Sequence, residues 1–188
     1  MTMPPTSRRA VLSLLLLLAA ITAPASLVAA EPTPDPWLPL QRLLGEWAGS
    51  SSGMSGDATV SRRYAQVLGG RFINETNTSV YPPQERNRGG ERHEHWGMFS
   101  LDKARKTLVL RHFHGEGFVN SYRQLVVADR PELMVFESES FENFNNSWRA
   151  RETYEFISKD ELVELFELAA PGKDFVLYSR THLKRVAQ

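Results

Sequence analysis

From residue 45 onward, turn signals recur so often that the runs between them are only about 8 to 12 residues long, too short for a fold built on long helices. The breaks fall at Gly69-Gly70, Pro82 to Glu91, Asp102 to Arg105, Asp129-Arg130-Pro131, Asn143 to Asn146, Ser158-Lys159-Asp160 and Pro171-Gly172-Lys173. Between them lie runs rich in Val, Phe, Tyr and Thr, which suit a pleated, half-buried surface. Ten strands are predicted, beginning near Gly45, Asp57, Arg71, Arg92, Lys106, Phe118, Leu133, Trp148, Leu162 and Asp174. Strands joined antiparallel, with no helices to cover a second face, must protect their edges, and closure into one barrel does this. The expected fold is all-β, a single antiparallel up-and-down barrel of about ten strands, with a small two-sheet sandwich as the alternative. A barrel of this size encloses room for a small ligand.

The segment before the barrel reads as an address. Arg8 and Arg9 precede an apolar run from Ala10 to Ala20, and Val28 and Ala30 satisfy the small-residue rule for cleavage. Residues 1–30 are therefore expected to be a signal peptide, residues 31–44 a Pro-rich leader ending in a short helix at about Leu38 to Leu44, and residues 45–188 the barrel. The apolar run is too short to span a bilayer comfortably, so no transmembrane anchor is expected in the mature form. The protein is expected to be exported, to a periplasm or beyond. Ser7-Arg8-Arg9-Ala10-Val11-Leu12 partly matches a twin-arginine signal, but the Leu-rich run favours the general secretory route.

Charge and composition exclude several classes. The chain carries 22 basic and 22 acidic side chains, and removal of residues 1–30 takes away only Arg8 and Arg9, so no nucleic-acid partner is expected. The absence of cysteine excludes disulfides, thiol catalysis and thiolate metal sites.

Four of the five histidines form two His-x-His pairs, His93/His95 and His112/His114, on consecutive predicted strands. Each pair shares a face because side chains alternate along a strand. If Asp102 to Arg105 is the hairpin loop, His95 lies across from His112 and His93 across from His114, with Trp96 opposite Arg111. That register gathers His93, His95, Gly97, Phe99, Leu101, Leu108, Leu110, His112 and His114 on the lumen side. Neutral imidazole is a good ligand for divalent transition metals, and lumen imidazoles also bond to one another or to trapped water.

Leu43-Leu44-Gly45-Glu46-Trp47-Ala48-Gly49 resembles the opening of the nitrobindin-like haem-binding β-barrels, which are relatives in shape of fatty-acid-binding proteins and lipocalins. In that motif Gly45, Trp47 and Gly49 are structural, and Trp47 plugs one barrel end. His93-Glu94-His95-Trp96-Gly97-Met98-Phe99 is similar to the family segment whose histidine points into the haem cavity. His182-Leu183-Lys184 is similar to the segment supplying the family's iron ligand. The resemblance implies a ten-stranded barrel and haem b on His182, with His93 or His114 on the distal side, acting on nitric oxide or peroxynitrite.

Two further features stand out. Tyr178, Arg180 and His182 share a face by alternation, and Arg180-x-His182 resembles the Arg-x-Tyr pair with which fatty-acid-binding proteins hold a carboxylate. Glu152 interrupts the apolar face of Trp148, Ala150, Tyr154 and Phe156, so if buried it needs a partner such as Arg180 or a lumen histidine. Three functions remain open: an exported small-molecule-binding barrel with a histidine-lined lumen, a nitrobindin-like haem protein, and an enzyme with a divalent metal on His93, His95, His112 and His114 and Glu152 as general base.

Overall fold

The computed structural model describes residues 35, 37–127, 129–130 and 132–187. The expected signal peptide and residues 31–34 and 36 of the leader lie outside the described residues. A four-residue helix, α1 (Leu38–Gln41), leads into ten strands: β1 (Gly45–Gly53), β2 (Gly56–Val67), β3 (Phe72–Tyr81), β4 (Glu91–Asp102), β5 (Thr107–His114), β6 (Val119–Leu125), β7 (Leu133–Glu142), β8 (Arg149–Ser158), β9 (Glu161–Ala169) and β10 (Val176–Arg185). Each strand pairs antiparallel with its chain neighbours, and β1 pairs with β10 to close the ring. The sandwich alternative is thereby set aside. Among the described residues no helix is long and apolar enough to cross a membrane.

The strands form where apolar side chains alternate. On β2, Ala58, Val60 and Tyr64 point inward between exposed Asp57, Thr59, Ser61 and Arg63. One end of the barrel is solid. Leu40 and Leu43 from α1 and its following turn pack with Trp47, Tyr64, Ile73, Phe99, Leu110, Phe136, Tyr154, Phe156 and Leu183 in one cluster. The Trp47 indole N–H donates to the Leu43 carbonyl at 2.6 Å, and the Arg185 guanidinium lies 4.2 Å above its ring. Trp47 thus satisfies its one polar atom while filling the floor.

The β4–β5 hairpin differs from expectation by two residues. Asp102 pairs with Thr107, so His95 lies across from His114, Gly97 from His112 and Trp96 from Phe113, while Arg111 faces Met98. The expected pairings of His95 with His112, His93 with His114 and Trp96 with Arg111 are therefore corrected. The cause is local. The Asp102 carboxylate accepts from the backbone N–H groups of Ala104 and Arg105 at 3.0 Å each, which keeps Asp102 in the ladder. Lys106 then takes a positive φ of 53° to close the turn. A slip of two preserves face parity, so all four histidines still project to one side.

Closure depends on glycine at the β1–β10 seam. A Cβ on Gly49 would sit 1.8 Å from the His182 carbonyl oxygen, and one on Gly53 would sit 2.2 Å from that of Tyr178. Gly49→Ala should cost at least about 1–3 kcal/mol by overpacking, read as a fall in the urea midpoint. Gly89→Ala is the control, because a Cβ there meets nothing within 4 Å. Equal midpoints for the two variants would show that the seam tolerates a side chain.

Candidate functional site

Above the apolar floor lies a layer of buried charge. Arg62 occupies an inward position on β2, and its guanidinium reaches Glu75 on β3 at 3.2 Å and Glu164 on β9 at 2.8 Å. It also donates to the Asn77 amide oxygen at 3.0 Å and the Tyr64 hydroxyl at 3.2 Å. Burial works against its charge, but Glu164 and the other anionic neighbours more than offset this and raise its pKa. Glu75, wholly buried, would be raised by burial; Arg62, the nearby His112 and a hydrogen bond from His95 instead hold it well below the usual carboxylate range. Removing one partner from such a group leaves an unpaired buried charge, at a cost of about 3–5 kcal/mol.

The histidines rise from this layer toward solvent. His112, the deepest, places Nδ1 3.5 Å from Glu152 and Nε2 3.6 Å from Glu75. Burial disfavours its charge, but Glu152 and Glu75 prevail and push it up to about 10. Glu152 is pushed up to about 7 by burial and the nearby Glu164. His95 binds Glu75 through Nε2 at 3.1 Å, and burial lowers it to about 4. His114 contacts the Asn120 amide nitrogen through Nε2 at 3.2 Å and stacks on Phe118 with centroids 4.1 Å apart. His93 stands at the rim, with Nδ1 2.7 Å from Glu116.

These groups line a cavity of about 490 Å³ that reaches solvent beside Glu91, Glu116 and Phe144. Its walls differ in chemistry. Ser51, Asn77, Ser79, Thr181 and Tyr178 make a hydroxyl and amide wall, the four histidines a second, and Phe118, Phe141, Phe144, Trp148, Phe166 and Leu168 an apolar third. One ring nitrogen each of His93, His95 and His114 lies within 4.8 Å of the other two, and Glu75, His95 and His112 form a second such group.

Several expected site residues are elsewhere. His182 and Arg180 face outward, and His182 Nε2 bonds Glu161 at 2.6 Å. The expectation that His182 holds haem iron from inside the barrel is corrected: the inward positions beside it belong to Thr181 and Leu183. Tyr178 does reach the cavity, but without Arg180, because a bulge between Leu177 and Ser179 sets it out of the strand's alternation. The Arg180-x-His182 carboxylate clamp is therefore absent from the lumen. Glu152 is buried and its partner is His112, not Arg180. Trp47 belongs to the floor and Gly49 to the β1–β10 seam, while Gly45 opens β1 opposite Tyr64 of β2.

Sequence reasoning missed Arg62, Glu75 and Glu164. The signal was present in the alternation: Arg62 falls in register with Val60 and Tyr64, and Glu75 with Ile73 and Asn77. Charges on both of two adjoining inward faces should be read as partners.

The chain is similar in fold to a solved protein, Rv2717c from M. tuberculosis, with a TM-score of 0.58 and 18% identity over 82% of this chain and 99% of that one. A DUF3598-family protein of unknown function from Nostoc punctiforme PCC 73102 aligns at 9% identity, covering 82% of this chain and 100% of the other, with a TM-score of 0.28. No family model matches the chain, and no curated protein does. The likeness to Rv2717c shows a shared fold.

The buried histidines make stability depend on pH. His112 titrates near 6.5 when unfolded and near 10 when folded. Its contribution is thus complete below pH 6.5 and lost as pH rises toward 10. Glu152 adds a loss between 4.5 and 7, while His95 acts oppositely, its contribution falling as pH drops from 6.5 through 4. In chelator-treated protein the melting temperature should fall between about pH 6.5 and 10. His112→Asn should flatten that limb; an unchanged limb would remove His112 as its source.

Proposed function

We propose that this protein binds a small molecule in the barrel lumen, one with an apolar, partly planar body and a polar head. The supporting observation is the cavity of about 490 Å³, in which aromatic side chains of β7, β9 and the β5–β6 and β7–β8 connections face hydroxyl, amide and imidazole groups over a buried charged layer. The body would lie against Phe118, Phe141 and Phe166. The head would meet the histidines and Asn77, since a ligand that leaves buried polar groups unpaired forfeits their desolvation cost.

The probe 8-anilinonaphthalene-1-sulfonate, an aromatic body with an anionic group, should bind saturably at one equivalent with increased fluorescence. Ser79→Trp, which fills the lumen, should abolish the change without altering the circular dichroism spectrum. Absence of saturation, or binding unaffected by Ser79→Trp, would place the probe outside the barrel.

Export belongs to the same reading and is supported by Arg8, Arg9, the apolar run and the Val28/Ala30 cleavage pattern. N-terminal sequencing of protein expressed from the whole chain with its secretion machinery should begin at Glu31. A start at Met1 or Thr2 would remove the signal-peptide assignment.

The nitrobindin-like resemblance is kept for the Leu43 to Gly49 opening and the barrel. Haem does not fit the placed residues. His182 is outside the lumen, and the layer above the apolar floor carries the buried charges of Arg62, Glu75, Glu152 and Glu164, which a porphyrin face would leave uncompensated.

A further inference from the structure

We propose that His93, His95 and His114 form a binding site for one divalent transition-metal ion of the zinc type, with an open coordination position facing the lumen. The inference concerns the ion alone and stands whether or not the lumen also takes an organic molecule. Three observations support it.

The first is the shape of the cluster. The ring centroids of His93, His95 and His114 form a nearly equilateral triangle, with sides of 5.6, 5.5 and 5.4 Å. Three imidazoles bound to one tetrahedral zinc at about 2.0–2.1 Å place their ring centres roughly 5 Å apart. The rings already stand near that arrangement. Binding would draw together nitrogens that lie within 4.8 Å of one another, a side-chain adjustment that leaves the ladder intact.

The second is the way the remaining nitrogens are held. A metal-binding histidine commonly gives its other ring nitrogen to a carboxylate or carbonyl, which fixes the tautomer and aims the ring. Glu116 holds His93 Nδ1 at 2.7 Å, and Glu75 holds His95 Nε2 at 3.1 Å. Asn120 meets His114 Nε2 at 3.2 Å. Half a turn of the Asn120 amide would bring its unpartnered oxygen, which is buried, to accept the Nε2 proton. His93 Nε2, His95 Nδ1 and His114 Nδ1 are then the atoms left to ligate.

The third is that two of those atoms have no other use. His95 Nδ1 and His114 Nδ1 are both buried and without a hydrogen-bond partner, and the His95 side chain is only 10% exposed. Native structures seldom leave such atoms unsatisfied.

The fourth histidine is set apart by its charged neighbours. His112 Nδ1 lies 3.5 Å from Glu152, and its Nε2, though without a hydrogen-bond partner, faces Glu75 at 3.6 Å, a carboxylate that already serves Arg62 and His95. The site is therefore three of the four histidines proposed from sequence, with no carboxylate in the donor set. Three neutral imidazoles suit zinc, cobalt or copper rather than magnesium or calcium. The open position would take water or an anionic oxygen from the lumen.

The test uses the whole protein, stripped with a chelator, dialysed and titrated with Co²⁺ alone. One equivalent should produce the intense visible bands of a four- or five-coordinate ion, and competition with a chromophoric chelator should give the Zn²⁺ affinity. His93→Asn and His114→Asn should each weaken Zn²⁺ by at least about 100-fold, and Glu116→Gln by about 10–100-fold with the stoichiometry unchanged. His182→Asn, on the outer face, should leave binding as it was. If His114→Asn does not fold, His93→Asn and Glu116→Gln at the rim carry the test. Weak six-coordinate spectra, no saturation at one equivalent, or affinity unchanged in His93→Asn would overturn the site.

Discussion

Arg62 is the hub of this barrel's interior. Its guanidinium bridges the carboxylates of Glu75 on the adjoining strand and Glu164 on the far side of the β1–β10 seam. Without this cation, the wholly buried Glu75 would lose the counter-charge that most strongly opposes its burial and holds its pKa low. Glu75 in turn orients His95 and, with Glu152, holds His112. The histidine wall is thus anchored to a charge on a strand that carries no histidine. A buried ion network of this kind is weak evidence for added stability, because desolvation offsets most of the Coulomb gain. Its effect here is positional, fixing which imidazole nitrogens are occupied and which are left facing the lumen.

How much of this was legible in the sequence depended on parity. The ten strand starts follow from the turn signals to within one or two residues, since Gly, Pro and Asn/Asp clusters act locally. Face assignment on β4 and β5 also follows, because polarity sorts odd from even positions whatever the exact register. The pairing itself does not. Whether Asp102 ends the ladder or opens the loop depends on its side chain capping Ala104 and Arg105 and on Lys106 adopting a positive φ. Polarity is blind to a two-residue shift.

The bulge at Tyr178 escaped for a related reason. One extra residue there reverses the alternation that sequence reading carries along β10, admitting Tyr178 and Ser179 together to the cavity and leaving Arg180 and His182 outside. Glu152 and its histidine partner were accessible to reasoning because an isolated charge on an apolar face demands compensation. Arg62, Glu75 and Glu164 obeyed the same rule, yet each is intelligible only once strands distant in sequence are brought together.

The β1–β10 seam joins the first and last strands of the domain, matching Trp47 with Arg185 and Gly53 with Ser179. Every other pairing is between sequence neighbours and can form as a hairpin, while this one must wait for β10. A nascent polypeptide lacking Val176–Arg185 has two raw edges and an unfinished floor, since Leu183 and the Arg185 lid over Trp47 have not been made. Long-range closure of this kind is entropically late and slow. Until β10 arrives, the other nine strands make an open, threadable ribbon, so the lumen and its histidine wall have no enclosed interior before the last pairing is made.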